Sequence, residues 1–283
     1  MPEGVEIRIM NGREFDLSKE LWLECFEEDD RAFVDLYYRT RTRPEYALGA
    51  FIYGKEGPCS MLHMIPMEMT VDKRPCRVAF VAGVCTAKEY RRSGLCTKLL
   101  TRSFSIMRES GYDHSVLQPF SFGFYSRFGY EPYASRQTVE LMASDTVGTA
   151  PETVPEPSAI SRIYSAYTEG FEGCAHRYEA RISALIEEYS LPGAVMRATE
   201  SGFCAGYEED GGETFRADEL FFLPGTDPEG ILPKGYLKYV FPLPVGADIP
   251  RGAVSRTEPF NMIRPILSEP VRHKARAFSF DRY

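Results

Sequence analysis

The segment from Val78 to Met107 constrains the fold more than any other. It opens with an unbroken apolar run, "VAFVAGVC" (Val78–Cys85), which has the length and composition of a strand covered on both faces. It closes with Leu95, Leu99, Leu100, Phe104 and Met107, one stripe of an amphipathic helix for which Gly111 supplies the stop. A covered strand running into a packed helix requires helices layered on a sheet. The junction, "RRSGLC", holds Arg91, Arg92, Ser93, Gly94, Leu95 and Cys96. The first turn of a helix leaves N–H groups without partners and adds partial positive charge. Gly94 allows close backbone approach, so this turn can cradle a diphosphate, with the arginines adding charge-assisted contacts. It can equally be a solvated basic turn with Ser93 as the helix cap, and the hexapeptide alone leaves both readings open.

Around this segment the first half alternates. Val5–Met10 reads as a strand, Leu17–Phe26 and Asp29–Tyr38 as helices, and Tyr46–Tyr53 with Ser60–Thr70 as a hairpin around "GKEGP". His114–Gln118 reads as a strand, Phe122–Phe128 as a short helix and Ser135–Met142 as another strand. The proline-rich stretch Asp145–Ser158 is the best candidate linker. The expected organisation is therefore a first domain over 1–147, a linker over 148–158 and a second domain over 159–283. In the second, Ala159–Glu169 and His176–Tyr189 read as helices, and Val195–Thr199, Gly202–Glu208 and Thr214–Phe222 as strands. The turn "EEDGGE" echoes "GKEGP", which suggests a diverged duplication. The stretch "LPGTDPEGILPKGYL" that follows contains no arginine and cannot repeat the basic turn.

Composition removes several function classes. A net charge of −8 argues against non-specific nucleic-acid binding and mildly favours cationic substrates. Seven widely spaced cysteines with no C-x-x-C pair fit reduced thiols better than a disulfide framework or a zinc site, so no metal is expected. Neither a signal peptide nor an apolar run of membrane-spanning length is visible, and a cytoplasmic protein without membrane contact is expected. A homo-oligomer is compatible with all of this. Other phosphate and nucleophile signatures fail: no P-loop or G-x-G-x-x-G motif exists, and Ser121 lacks the glycine that a nucleophile elbow needs where Pro119 stands.

The run "VAFVAGVCT", the turn "RRSGLC", a helix, "HSVLQP" and "FGFYSRFGYEP" together resemble the GCN5-related N-acetyltransferase (GNAT) superfamily. In that family an R/Q-x-x-G-x-G/A turn holds the diphosphate of acetyl-coenzyme A. Arg91 and Gly94 match it, and Cys96 stands where glycine or alanine is usual. "FYSRFGY" is similar to the enhanced intracellular survival (Eis) branch, which has two tandem GNAT-like domains. The resemblance thus implies an α/β (α+β, mixed-sheet) fold with a first domain that holds the acetyl-CoA site and a degenerate second one. Eis proteins continue into a sterol-carrier-like third domain whose terminal carboxylate reaches the active site. Here "NMIRPILSEP" reads as the junction and only "VRHKARAFSFDRY" follows, so no third domain is expected, and the Tyr283 carboxylate remains a candidate base.

The resemblance also implies the chemistry. Backbone groups of Val84, Cys85 and Thr86 would bind the pantetheine arm, with an N–H such as that of Val84 polarising the thioester carbonyl. Tyr125 would be the general acid, because a phenol is protonated at neutral pH and can donate to a departing thiolate; its bland alternative is one packing aromatic among 17 tyrosines. The acidic run Glu27, Glu28, Asp29, Asp30 would attract an ammonium, or simply be dipole partners and solvated charge at a helix start. His63 is a titratable group on a neighbouring strand, or a satisfied core histidine. Two functions follow: an acetyl-CoA-dependent N-acetyltransferase acting on a small-molecule or lysine-like primary amine, and a coenzyme A-binding regulatory or scaffold protein without turnover.

Overall fold

A computed structural model of the chain describes residues 4–272 and 277–279. The first half forms β1 (Val5–Ile9), α1 (Gly12–Cys25), α2 (Arg31–Thr40), β2 (Ala47–Ile52), β3 (Ser60–Val71), β4 (Arg74–Thr86), α3 (Leu95–Glu109), β5 (His114–Leu117), α4 (Phe122–Ser126) and β6 (Glu131–Pro132). The remainder forms β7 (Ser135–Met142), β8 (Glu152–Thr153), α5 (Pro157–Thr168), α6 (Glu179–Glu188), β9 (Ala194–Thr199), β10 (Gly202–Glu209), β11 (Thr214–Phe222), β12 (Lys238–Leu243), β13 (Val254–Pro259) and β14 (Met262–Pro265). Local chemistry explains the helix ends. α1 starts with a reciprocal capping box between Asn11 and Glu14. α3 buries its predicted stripe, and Gly111, at φ +75°, closes it while Tyr112 N–H reaches back to Met107 O.

The strands make two seven-stranded mixed sheets, in the orders β1-β2-β3-β4-β5-β14-β6 and β8-β9-β10-β11-β12-β7-β13. Within each, the fourth and fifth strands are parallel and every other neighbour pair is antiparallel. The two sheets are thus one plan used twice, and the folds are tandem and GNAT-like. In the first, α1 and α2 cover one face around Phe15, Trp22 and Tyr37, and α3 covers the other around Leu99, Leu100 and Met107. In the second, α5 and α6 cover one face. The opposite face is covered by Ile231 and Leu232, at the end of a 3-10 turn (Pro228–Ile231) rather than on a helix.

The expected boundaries do not coincide with the sheets. Ser135–Met142, assigned above to the first domain, is the sixth strand of the second sheet. "NMIRPILSEP", read above as a junction, contains β14, which lies between β5 and β6 of the first sheet with Met262 and Ile263 buried. The second sheet is thus continuous in sequence from β7 to β13, and the first takes its sixth strand from beyond it. The expected linker is equally engaged: Val147 is buried, β8 pairs with β9, and α5 already starts at Pro157. The halves also meet through Glu172, which accepts from the Asp72 and Lys73 N–H groups, and through His176 N–H, which donates to Glu68 O. No helix among the described residues is long and apolar enough to cross a membrane.

Candidate active site

The site begins at a defect in the central strand. β3 and β4 pair regularly until Met61↔Cys85 and His63↔Ala82, where Gly83 and Val84 together oppose Leu62. Gly83, at φ +57°, makes this bulge; a Cβ there would lie 2.5 Å from Cζ3 of Trp22, so both the backbone and the packing demand glycine. On the other edge, β4 pairs with β5 only from Val78 to Phe80. Beyond Phe80 the two parallel strands part, and the β5-facing edge of Val84, Cys85 and Thr86 opens. The basic turn follows. Gly94, at φ +82°, is the N-cap of α3, and a Cβ there would meet nothing within 4 Å. Arg92 is also left-handed, at φ +64°, a conformation that costs an L-residue about 1 kcal/mol. Arg91 and Arg92 are exposed, and Arg91 Nε donates to Thr86 O at 3.2 Å. Ser93 is not the cap; its hydroxyl donates to Tyr90 O. Leu95 is core, while burial pushes the half-buried Cys96 thiol up to about 11. The open cap and the exposed arginines suit a diphosphate.

Where β4 and β5 part, a cleft of about 710 Å³ is lined by Val81–Val84, Gln118, Phe120, Tyr125, Trp22, Phe26, Glu28, Asp29 and Asp30, among others. Tyr125 sits on α4, which Ser121 caps, with its ring against Phe120 and Phe124. It is 3% exposed, and burial and the neighbouring Cys96 raise its hydroxyl above the usual phenol range, which keeps the proton on. The acidic run divides. Asp30 caps α2 by accepting Phe33 N–H. Asp29 accepts Trp22 Nε1–H at 2.7 Å, and burial, with Glu28 and Asp30 close by, raises its carboxyl. Glu27 does not line the cleft; it pairs with Lys88 at 2.9 Å, and that ammonium lowers its carboxyl. His63 is also absent from the cleft. It is fully buried between Trp22 and Tyr37, its Nδ1 is 3.1 Å from the Tyr37 hydroxyl, and burial holds it neutral with a pKa of about 3. His63 thus lies in the core with its Nε2 left without a hydrogen-bond partner among the described residues. Tyr283 lies outside the described residues.

Residues 6–133 match the family model of the acetyltransferase (GNAT) domain. This segment is similar to GNAT acetyltransferase domains. The whole chain is similar in fold to a GCN5-related N-acetyltransferase from Anabaena variabilis, with TM-score 0.73 and 17% identity over 93% of this chain and 73% of that one. It is similarly related to an Eis protein from Mycobacterium abscessus (TM-score 0.70, 17% identity, 93% and 74% covered). A GCN5-related N-acetyltransferase from Kribbella flavida follows (TM-score 0.67, 16% identity, 93% and 72% covered). At identities this low the likeness speaks to fold, which these neighbours share across both sheets. No curated protein matches the sequence closely enough to count as a relative.

The first sheet and its helices supply only one wall of the cleft. Glu188, Tyr189, Leu191, Pro192, Tyr207, Asp218, Glu219, Arg177 and Arg181 complete it from the second sheet and its helices. Two buried ion pairs brace that wall: Arg177 with Glu219 at 2.8 Å, and Arg41 of the loop after α2 with Glu188. Asp218 occupies a telling place. The pairing of β10 with β11 skips it, passing from Ala205↔Glu219 to Gly206↔Ala217. This is a bulge between the third and fourth strands of the second sheet, where the first sheet has its own. Both bulges face the one cleft. None of these partners was singled out from sequence, and the spacing of charges carries no signal of them; a comparison of the two halves strand by strand could have flagged Asp218.

Proposed function

We propose that the chain is an N-acetyltransferase of the Eis-like tandem kind that moves an acetyl group from acetyl-CoA to a primary amine of a cationic small molecule or a lysine-like acceptor. The observation that carries this reading is the parting of β4 from β5 beyond the Gly83 bulge, beside a cleft that contains both Val84 and Tyr125. The Gly94 cap and the α3 N–H groups hold the diphosphate, and Arg91 and Arg92 add charge. The open edge of Val84, Cys85 and Thr86 pairs with the amides of the pantetheine arm, and the Val84 N–H polarises the thioester carbonyl. Glu28, Asp29, Asp30, Glu188, Asp218 and Glu219 give the cleft six carboxylates against Arg41, Arg177 and Arg181, a balance that favours an ammonium. Asp29, with its carboxyl raised, accepts the amine proton. The neutral nitrogen attacks the thioester carbon, the C–S bond breaks, and Tyr125 protonates the leaving sulfur. The sheet plan used twice and the likeness to the Eis protein support the branch. Seven free cysteines are in keeping with a cytoplasmic setting.

The test is thiol release from acetyl-CoA across a panel of primary amines, beside calorimetric titration with the coenzyme. Amine-dependent release is expected, and Tyr125→Phe should lower kcat about a hundredfold while leaving acetyl-CoA affinity unchanged. Equal turnover in that variant removes the acid role. Binding without release for any amine would make the protein a coenzyme A-binding regulator.

A further inference from the structure

Behind the braced wall of the cleft lies a second cavity, of about 510 Å³. β2 stops pairing with β3 at Ala47↔His63. The second half takes up the same edge only further on, where Ala175 bridges Met69 and His176 N–H donates to Glu68 O. Among the described residues no strand covers that edge over residues 64–67, and α2 ends beside the gap at Thr40. The cavity is floored by Ile65, Met67, Cys76 and Ala175, which belong to the core around Trp22 or pack against it. Its charged lining is Arg41, Arg77, Arg181 and His176 against Glu68 alone. In a chain of net charge −8, an apolar cavity with a cationic rim stands out. We propose that this cavity binds a small apolar monocarboxylate, and that its occupation tightens the hold of the cleft on an ammonium.

The one carboxylate on the rim is already engaged, because Glu68 accepts the Tyr178 hydroxyl at 2.6 Å. Arg77 donates to Ser110 O and lies over the Tyr112 ring, and His176 Nε2 is 3.2 Å from the Thr70 hydroxyl. Neither side chain meets a carboxylate among the described residues, so an entering acid gains charged partners without displacing one. Its methylenes are taken up by the apolar floor. An amine has no such partners here and is drawn to the cleft, where six carboxylates face three arginines. Arg41 and Arg181 line both spaces. Arg41 carries the coupling: its buried guanidinium pairs with Glu188, which lines the cleft and not the cavity. An acid on the far side of Arg41 divides that charge between two anions, so Glu188 is less neutralised and the cleft more negative. Linkage makes the effect mutual, and an ammonium in the cleft tightens the acid by the same factor.

The coupling rests on the acceptor cleft proposed above; the acid site does not. Hexanoate, with 1-hexanol as its uncharged match, is titrated calorimetrically into the full chain. Hexanoate should bind at one site, and hexanol about tenfold more weakly. In protein labelled at its methionine methyls, hexanoate should shift the Met67 signal, which is identified by its loss in Met67→Leu. His176→Glu, outside both the cleft and the coenzyme turn, should weaken hexanoate about tenfold and leave thiol release without hexanoate unchanged. Equal affinity for acid and alcohol, an unmoved Met67 signal, or indifference to His176→Glu overturns the site. The coupling is read by titrating n-butylamine, a match for the lysine side chain, with and without saturating hexanoate. Amine affinity should rise about threefold, and an unchanged affinity overturns the coupling. An amine that binds in neither state removes the acceptor cleft of the proposed function and the coupling with it, while the acid site stands on the hexanoate titration alone.

Discussion

The two sheets share strand order, strand directions, a bulge at the same pair and a three-residue parallel pairing, yet only one is equipped for the chemistry. The difference lies in what joins the parallel strands. In the first sheet the connection from β4 to β5 is the basic turn and α3, whose N-terminus is open at Gly94. In the second, the connection from β11 to β12 is the 3-10 turn ending at Ile231, and Ile231 packs so closely on Gly202 that a Cβ there would lie 2.2 Å away. Arginine has changed its task as well. Arg91 and Arg92 face solvent, whereas Arg197 is buried and donates to the carbonyls of Gly230, Leu232, Gly148 and Ala150. The same strand scaffold therefore carries an open helix N-terminus when its crossover is a helix and a plugged core when it is not. The second sheet nevertheless contributes, because Asp218 on its bulge faces the common cleft.

The sharpest break of this comparison is a matched pair of glycine variants. Gly94 and Gly225 both have φ above +80° and open space around a Cβ, so glutamate at either costs about 1–2 kcal/mol of backbone strain. Gly94→Glu should weaken acetyl-CoA binding more than a hundredfold by calorimetry; Gly225→Glu should leave it unchanged. Equal behaviour would move the diphosphate away from α3. A smaller effect separates the arginines. Arg91→Ala should cost about tenfold in coenzyme affinity with little change in denaturation midpoint, whereas Arg197→Ala should remove about 3 kcal/mol of stability by orphaning buried carbonyls. The smallest concerns His63, which is fully buried in the first sheet's core. Folded His63 titrates near 3 and unfolded histidine near 6.5, so the unfolded chain binds more protons between those values. Stability should be full above pH 6.5 and decline as pH falls toward 3. In His63→Gln, urea unfolding should show a shallower decline over that window; an unchanged slope would mean that His63 is already protonated when folded.

What could be read from the chain was whatever depends on neighbours in sequence. The buried run of β4, the stripe of α3 and the turn at Gly94 are local patterns, and all three are where the residues place them. Tyr125 was legible through its motif and does line the cleft. The sheets to which β7 and β14 belong were not legible. Ser135–Met142 has the alternation of a strand on either sheet, and nothing in its composition chooses between two partners with the same pairing plan. β14 is four residues that end in Pro265, too short for a periodic signal. The split of the acidic run was hidden for a related reason: Glu27 and Asp29 differ only in what approaches them, Lys88 for one and Trp22 for the other.

The placement of β14 bears on how this chain is made. A ribosome releases β1 to β6 first, yet the slot between β5 and β6 waits for Met262–Pro265, which follow the whole of the second sheet. Until then β5 keeps an unpaired edge, and the apolar faces of Met262 and Ile263 have nowhere to go. The first domain thus cannot complete itself during synthesis as an N-terminal unit usually does. Its closure is a late, long-range event of the kind that slows folding and rewards chaperone protection of a nascent sheet edge.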